Sequence, residues 1–493
     1  MSVPVEGADG SHPVVDTILT AAAIIPMDGP SHIISDGAIA IDHGRITALG
    51  PSADIARRYA GRRVIDVGFS AVLPGFIDVH AHLPQTLLRG RHRSAGSGAS
   101  FLPFLITPLM TPADTRALGR VGCLEALRFG TTTVQASMNN MAALAEAVHE
   151  TGLRAVLAEE ICDFDYTAAA RGQLIPAPGQ SALQLQTAIH VADAWQGRAE
   201  SRITTAIAPL APDLVLPATY GAIREYSDRY GTLVATHLAQ TTDERQRIHD
   251  AYRISPVAHL HNLGVLGPRL IAAHCVLASD HDTTMLHHTG TAIAHCPRGY
   301  LMDGLTAPLA RWLAKGIRVG LGTDDVSHNM WETIRAARYG AAIRTAAGDP
   351  HITDYKLLEL ATRQGAEALG IQHMTGSLTP GKQADLQVIA LRSPAHTPTA
   401  DLLESLICSA DTEITHTLVD GRIVHGSMRD ASADLDTALH EAEASASRLW
   451  QVLRTRYPHD AGSPLLPGGP DLDEERSAKP GLYAPASEPS AYT

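Results

Sequence analysis

The stretch Leu73-Pro74-Gly75-Phe76-Ile77-Asp78-Val79-His80-Ala81-His82 decides how the rest of the chain is read, because an apolar run ends there in two histidines spaced His-x-His. Side chains alternate faces along a strand, so His80 and His82 share a face, and two imidazoles so placed can converge on one metal ion at about 2.0 to 2.1 Å each. The bare spacing is weak. The chain holds 25 histidines, some such pairs arise by chance, and a histidine satisfying a buried backbone group is the alternative at each position. Weight comes only from what lies downstream.

Outward from this stretch, strand-like runs at 72–80, 131–136, 154–158, 203–208, 233–237, 270–274, 292–295 and 319–323 alternate with helical runs that include 113–129, 183–196, 280–289 and 331–346. That is the βαβα rhythm of a parallel barrel, whose chemistry collects at the C-terminal ends of its strands. Short alternating β segments fill 16–67 and recur at 376–389 and 415–424, and the two sets are expected to pair into one small β domain split in sequence. The expected division is 1–71 for the N-terminal part of that domain, 72–372 for the barrel, 373–430 for the C-terminal part, 431–457 for a helix and 458–493 for a loosely ordered tail. In the helix, Leu435, Leu439, Leu449, Val452 and Leu453 form the expected apolar stripe. The segment 83–111 is too long for a plain βα loop and reads as an active-site lid. Its Arg89, Arg91, His92 and Arg93 form a positive patch, either a solvated loop or a substrate-binding one.

A chain of 493 residues, 45% of them hydrophobic, buries one large core and a smaller one. A formal net charge of −13 argues against a nucleic-acid or anionic-membrane partner, which would need clustered Lys and Arg. The five cysteines are odd in number and show no Cys-x-x-Cys pair, so they read as reduced thiols of a cytoplasmic protein. Residues 1–11 lack the basic and apolar regions of a signal peptide, and no apolar run approaches the ~18 residues of a membrane span. The expectation is a homodimer or higher homo-oligomer acting on a small molecule.

Three more strand ends complete a constellation: Ala235-Thr236-His237-Leu238-Ala239-Gln240, Ala272-Ala273-His274-Cys275, and Gly320-Leu321-Gly322-Thr323-Asp324-Asp325. With residues 73–82, their order and spacing resemble the amidohydrolase superfamily, in the branch containing cytosine deaminase, methylthioadenosine or adenosylhomocysteine deaminase, and the s-triazine chlorohydrolases. The resemblance covers roughly residues 16–426. It implies an α/β fold, a (β/α)8 TIM barrel with a composite β-sandwich built from both ends of the chain. It also implies that His80, His82, His237 and Asp324 ligate one divalent ion per chain, Zn²⁺ or alternatively Fe²⁺, with His274 beside it on a bound water or the substrate. Neutral imidazoles with one carboxylate suit either ion, and an open coordination position lets the ion lower the pKa of bound water to about 7. Asp324 would then serve as general base.

The chain departs from the deaminases of this branch in three places. They read His-Leu-Ala-Glu where this chain has His237-Leu238-Ala239-Gln240, and an amide cannot give and regain a proton as that Glu does. Leu210 stands where Pro-His-Ala-Pro would supply a substrate-contacting His, and Gly299-Tyr300 replaces the common Ser-Asn. Gln85 matches the family and is a candidate to bond substrate, with anchoring of the lid as the alternative. Tyr300, Met302 and Trp331 follow the seventh and eighth strands and are candidates to line the site, with core packing the alternative for Met302 and Trp331. The resemblance thus points to deamination of an amino-substituted purine, pyrimidine or triazine-like ring. Hydrolysis of an amide, carbamate, urea or halide leaving group stays open because of Gln240. Deamination by a relocated acid requires Asp243, Glu244, Asp303 or Asp325 to reach the site.

Overall fold

A computed structural model describes residues 12–30, 32–90, 101–409, 412–426 and 432–457. The first strands are β1 (Val14–Ile24), β2 (Ile34–Asp42), β3 (Arg45–Pro51), β4 (Ala60–Asp66) and β5 (Ser70–Pro74). Strict alternation along β2 buries both of its faces. Ala38 and Ala40 pack with Val15, Ile18 and Ile55, while Ile39 and Ile41 pack with Leu19, Ile46 and Val72.

The eight strands that follow are parallel and in sequence order: β6 (Phe76–Ala81), β7 (Thr131–Met138), β8 (Arg154–Ile161), β9 (Ile203–Pro209), β10 (Leu233–Leu238), β11 (Leu270–His274), β12 (Ala292–His295) and β13 (Val319–Leu321). This is a TIM barrel. Beyond it, β14 (Leu386–Ala390), β15 (Ile414–Val419) and β16 (Arg422–Gly426) return to the first sheet, where β14 pairs antiparallel with β5, setting Val388 opposite Val72. The two ends of the chain therefore share one sheet, as the recurrence of β segments foreshadows.

The single strand expected over 72–80 is two strands in two different sheets. Gly75 is where the chain crosses between them. A Cβ there would lie 2.1 Å from Cγ2 and Oγ1 of Thr132, so the approach of the neighbouring strand excludes any side chain. A buried ion pair fastens the sheet to the barrel a second time. Arg154, at the start of β8, donates to both carboxylate oxygens of Asp385 (2.8 and 3.2 Å) and also pairs with Asp420.

Along the barrel strands, Val156 and Ala158, Ala206 and Ala208, Ala235, Ile271 and Ala273, and Ala292 and Ala294 form one buried cluster of small side chains. The period of two carries the next members of the same series, Glu160 on β8 and His237 on β10, to the C-terminal end.

The helix Ser432–Arg456 buries Ala438, Ala442, Leu449 and Leu453, but Leu435 and Leu439 are exposed, so the expected leucine stripe is only half right. Smaller alanines make the N-terminal half of that contact. In the expected lid, Leu83–Leu88 is a buried 3-10 turn rather than a flap, and Phe101–Ile106 is helical. Arg91, His92 and Arg93, like the tail 458–493, lie outside the described residues. No described helix is long and apolar enough to cross a membrane.

Candidate functional site

The barrel closes where β13 meets β6, and that seam carries the histidine pair. Ala81 bridges Asp324, the His82 N–H donates to the Asp324 carbonyl at 2.8 Å, and the Asp324 N–H donates to the His80 carbonyl at 3.0 Å. Beneath it the buried carboxylate of Asp78 accepts the Thr323 N–H at 3.0 Å and the Thr323 hydroxyl, tying the two strands one step below the site. Asp324 and His274 hold φ of 68° and 76°, left-handed values that cost an L-residue about 1 kcal/mol or more.

Four imidazoles meet there. His80 stands edge-on to His82, His237 and His274, with ring centroids 4.8, 4.9 and 5.4 Å away, while His237 lies stacked with both His82 and His274. Nε2 of His80 and of His82 lie 3.5 and 3.7 Å from Oδ1 of Asp324. Backbone carbonyls set the tautomers: Nδ1 of His82 donates to Ser137 and Nδ1 of His237 to Leu210, each at 2.7 Å. Burial pushes His82 down to about 4 and His237 well below the usual imidazole range, so both rings are neutral and both Nε2 atoms carry bare lone pairs. Those two Nε2 atoms are 3.3 Å apart. Neither can donate to the other, and the contact is repulsive unless a cation is shared between them. Nε2 of His80 and both ring nitrogens of His274 are likewise buried with no hydrogen-bond partner among the described residues. Neutral imidazoles plus one carboxylate, aimed inward without protons between them, fit a divalent cation.

Over this cluster opens a cavity of about 260 Å³, walled by His82, Gln85, Glu160, His237, Gln240, Tyr300, Asp324 and Asp325 among others. Of the residues expected at the site, Gln85, Gln240 and Tyr300 are brought to the cavity, and His80 and His274 lie directly behind its wall. Two are not. Arg89 turns away, donating from Nε to the Val326 carbonyl at 2.7 Å and pairing with Glu125, so it braces the loop after β13 rather than meeting a substrate. Trp331 is 1% exposed and packs edge-on against Phe76 at 4.8 Å, which makes it core. Met302 is 61% exposed and off the wall.

All four carboxylates required for a relocated acid, Asp243, Glu244, Asp303 and Asp325, reach the cavity wall. Burial raises Glu244 to about 7 and, with the charge of Asp324 adding to it, Asp325 to about 8. Glu160 is a fifth, missed in the sequence, and burial followed by the charge of Glu159 raises it to about 8. The available sign was a pair of acids, Glu159-Glu160, ending an otherwise apolar strand. Phe104 and Tyr166 also line the cavity, from connecting segments whose sequence carries no motif.

The sequence profile of the amidohydrolase family matches residues 71–424. A 5-methylthioadenosine/S-adenosylhomocysteine deaminase from Symbiobacterium thermophilum is 32% identical over 423 residues, covering 83% of this chain and 93% of that one. The protein of the same name from Nitratidesulfovibrio vulgaris is 32% identical over 456 residues, covering 90% and 98%. A zinc-bound adenosine deaminase from Xanthomonas campestris superposes with a TM-score of 0.77 at 25% identity, over 89% of this chain and all of that one. The zinc complex of an atrazine chlorohydrolase from Arthrobacter aurescens shares the fold at a TM-score of 0.77 and 22% identity, over 87% and 100%. With the profile spanning both the barrel and the strands that flank it, the chain belongs to the amidohydrolase family.

Proposed function

We propose that this chain is a metal-dependent hydrolase of C–N bonds that releases ammonia from an amino-substituted heterocycle. His80, His82, His237 and Asp324 would hold one divalent ion, zinc before iron. The observation that carries this reading is the 3.3 Å approach of two unprotonated Nε2 atoms, His82 and His237, beside the Asp324 carboxylate. Bound there, the ion supplies Lewis acidity and brings the pKa of water down to about 7. Asp324 accepts the proton of the attacking water, and His274, buried against Tyr300 at 5.4 Å between ring centroids, steers the atom that gains negative charge. Gln85, Gln240 and Tyr300 contact the ring. Relatives that act on adenosine-like molecules support a purine-like substrate. Four buried free cysteines fit a reducing compartment, and we assign the enzyme to the cytoplasm.

Protein purified without chelator is expected to carry one equivalent of metal per chain, and to release ammonia from at least one member of an aminopurine, aminopyrimidine and aminotriazine panel. Less than about half an equivalent by elemental analysis sinks the ligand set. Metal at full occupancy with no ammonia from any panel member sinks the deaminase assignment.

Gln240 favours a second reading, in which an amide, carbamate, urea or halide leaving group departs. Its carboxamide, on the cavity wall three residues past His237, donates a hydrogen bond but no proton. Leaving groups less basic than ammonia need less protonation. Gln240→Glu is expected to raise ammonia release from amino-heterocycles about tenfold or more while slowing the native reaction. If neither rate moves, residue 240 is a bystander.

A further inference from the structure

Most carboxyl groups on the cavity wall are already engaged. Asp213 pairs with Arg247 at 2.8 Å, Asp325 with Arg298 at 3.4 Å, and Glu244 accepts the backbone N–H groups of Ala239 and Gln240 at 2.8 and 2.7 Å. Glu160 differs. Its side chain is only 7% exposed, and among the described residues no donor lies within hydrogen-bond range of its carboxyl group. The near ring nitrogen, Nδ1 of His82, is 3.7 Å away and already donates to the Ser137 carbonyl at 2.7 Å. A carboxyl group buried without donors is costly, and this one borders an open cavity rather than packed side chains. The donors it lacks are those of a bound molecule.

The cations point the same way. Among the described wall residues Arg247 is the arginine and pairs with Asp213, and none is a lysine. Among the described residues an anionic group beside Glu160 would find no unpaired side-chain counter-charge. An amidinium or guanidinium presents two parallel N–H bonds matched to a carboxylate's two oxygens, and its charge would draw the carboxyl group, which burial and the charge of Glu159 raise to about 8, back to the ionised form.

We propose that Glu160 recognises the substrate and selects molecules presenting an amidinium, guanidinium or protonated amine beside the C–N bond, over molecules presenting a carboxylate or phosphate there. The selection rests on the site being that of a metal-dependent hydrolase and names its substrate class.

Benzamidine, benzamide and benzoate share one shape and differ in charge, so calorimetric titration of all three into the zinc-loaded full chain isolates the effect. Benzamidine is expected to bind at least about tenfold more tightly than benzamide, and benzoate, whose carboxylate zinc can ligate, serves as the reference for binding at the metal. Glu160→Gln should shrink the benzamidine advantage to within about threefold while benzamide affinity holds. A wild-type protein that binds benzamidine no better than benzamide overturns the proposal. So does a preference that survives in Glu160→Gln. The wild-type comparison stands alone should that variant fail to fold. Zinc measured on the same samples separates the two readings. One equivalent without charge preference removes Glu160 and keeps the hydrolase, whereas charge preference in a chain that binds no zinc keeps Glu160's affinity for cations and removes the hydrolase on which its role was built.

Discussion

Asp324→Asn is expected to lower kcat/KM by about 10³-fold or more, with metal content falling and the fold intact. The carboxylate oxygen sits 3.5 and 3.7 Å from the Nε2 atoms of His80 and His82, so a neutral amide removes the one negative charge that offsets a divalent ion. The same change removes the proton acceptor. Two lines of damage meet in one side chain, which is why the effect exceeds that of any other cavity-wall substitution. The fold is spared because the seam at this position is made by backbone: the carbonyl and N–H of residue 324 bond His82 and His80 whatever the side chain. Asparagine also tolerates a φ of 68° better than most residues. Steady-state kinetics, elemental analysis and a thermal melt check this together. Activity within tenfold of wild type would show that Asp324 is neither ligand nor base.

His274→Asn should cost about 10²-fold or more in kcat while leaving at least half an equivalent of metal bound. His274 is 1% exposed, stacked on His237 with centroids 5.4 Å apart, and both of its ring nitrogens lack partners. Asparagine suits the φ of 76° and keeps a hydrogen-bond donor, but it is too short to reproduce the ring's reach. Metal retained with turnover lost identifies a residue that works on the substrate. Metal lost along with turnover would move His274 into the ligand set, an arrangement the close grouping of His80, His237 and His274 also permits.

What could be read from the chain beforehand follows from how far apart in sequence the causes lie. The eight barrel strands and the convergence of His80, His82, His237, His274 and Asp324 were legible, because apolar periodicity and short motifs at strand ends are local signals. The break at Gly75 was not. Within 72–80 the sole local sign is the turn-prone pair Pro74-Gly75, and what forces the crossing is Thr132, more than fifty positions away and 2.1 Å from where a Cβ would stand. Arg89 misled for a similar reason. A basic residue on a long loop looks available to a substrate, but its partner Glu125 arrives from a helix with no visible link to it. Trp331 lies at the start of a helix legible in the sequence, and the choice between core and cavity turned on the ring of Phe76. Glu160 carried its own clue, since strand alternation from Val156 and Ala158 aims it at the open end.

The left-handed turns at His274 and Asp324 bear on how this protein could be made hardier. Both positions hold side chains at φ values where glycine is most at ease, 76° and 68°. A search for heat-tolerant variants, blind to turnover, would meet glycine at these two sites among its cheapest gains, and each gain would delete a group the reaction needs. The strain is thus a standing tax on thermal robustness, and improvement has to be sought elsewhere, on exposed helix faces and connecting loops, where sequence can change without touching the barrel's closing seam.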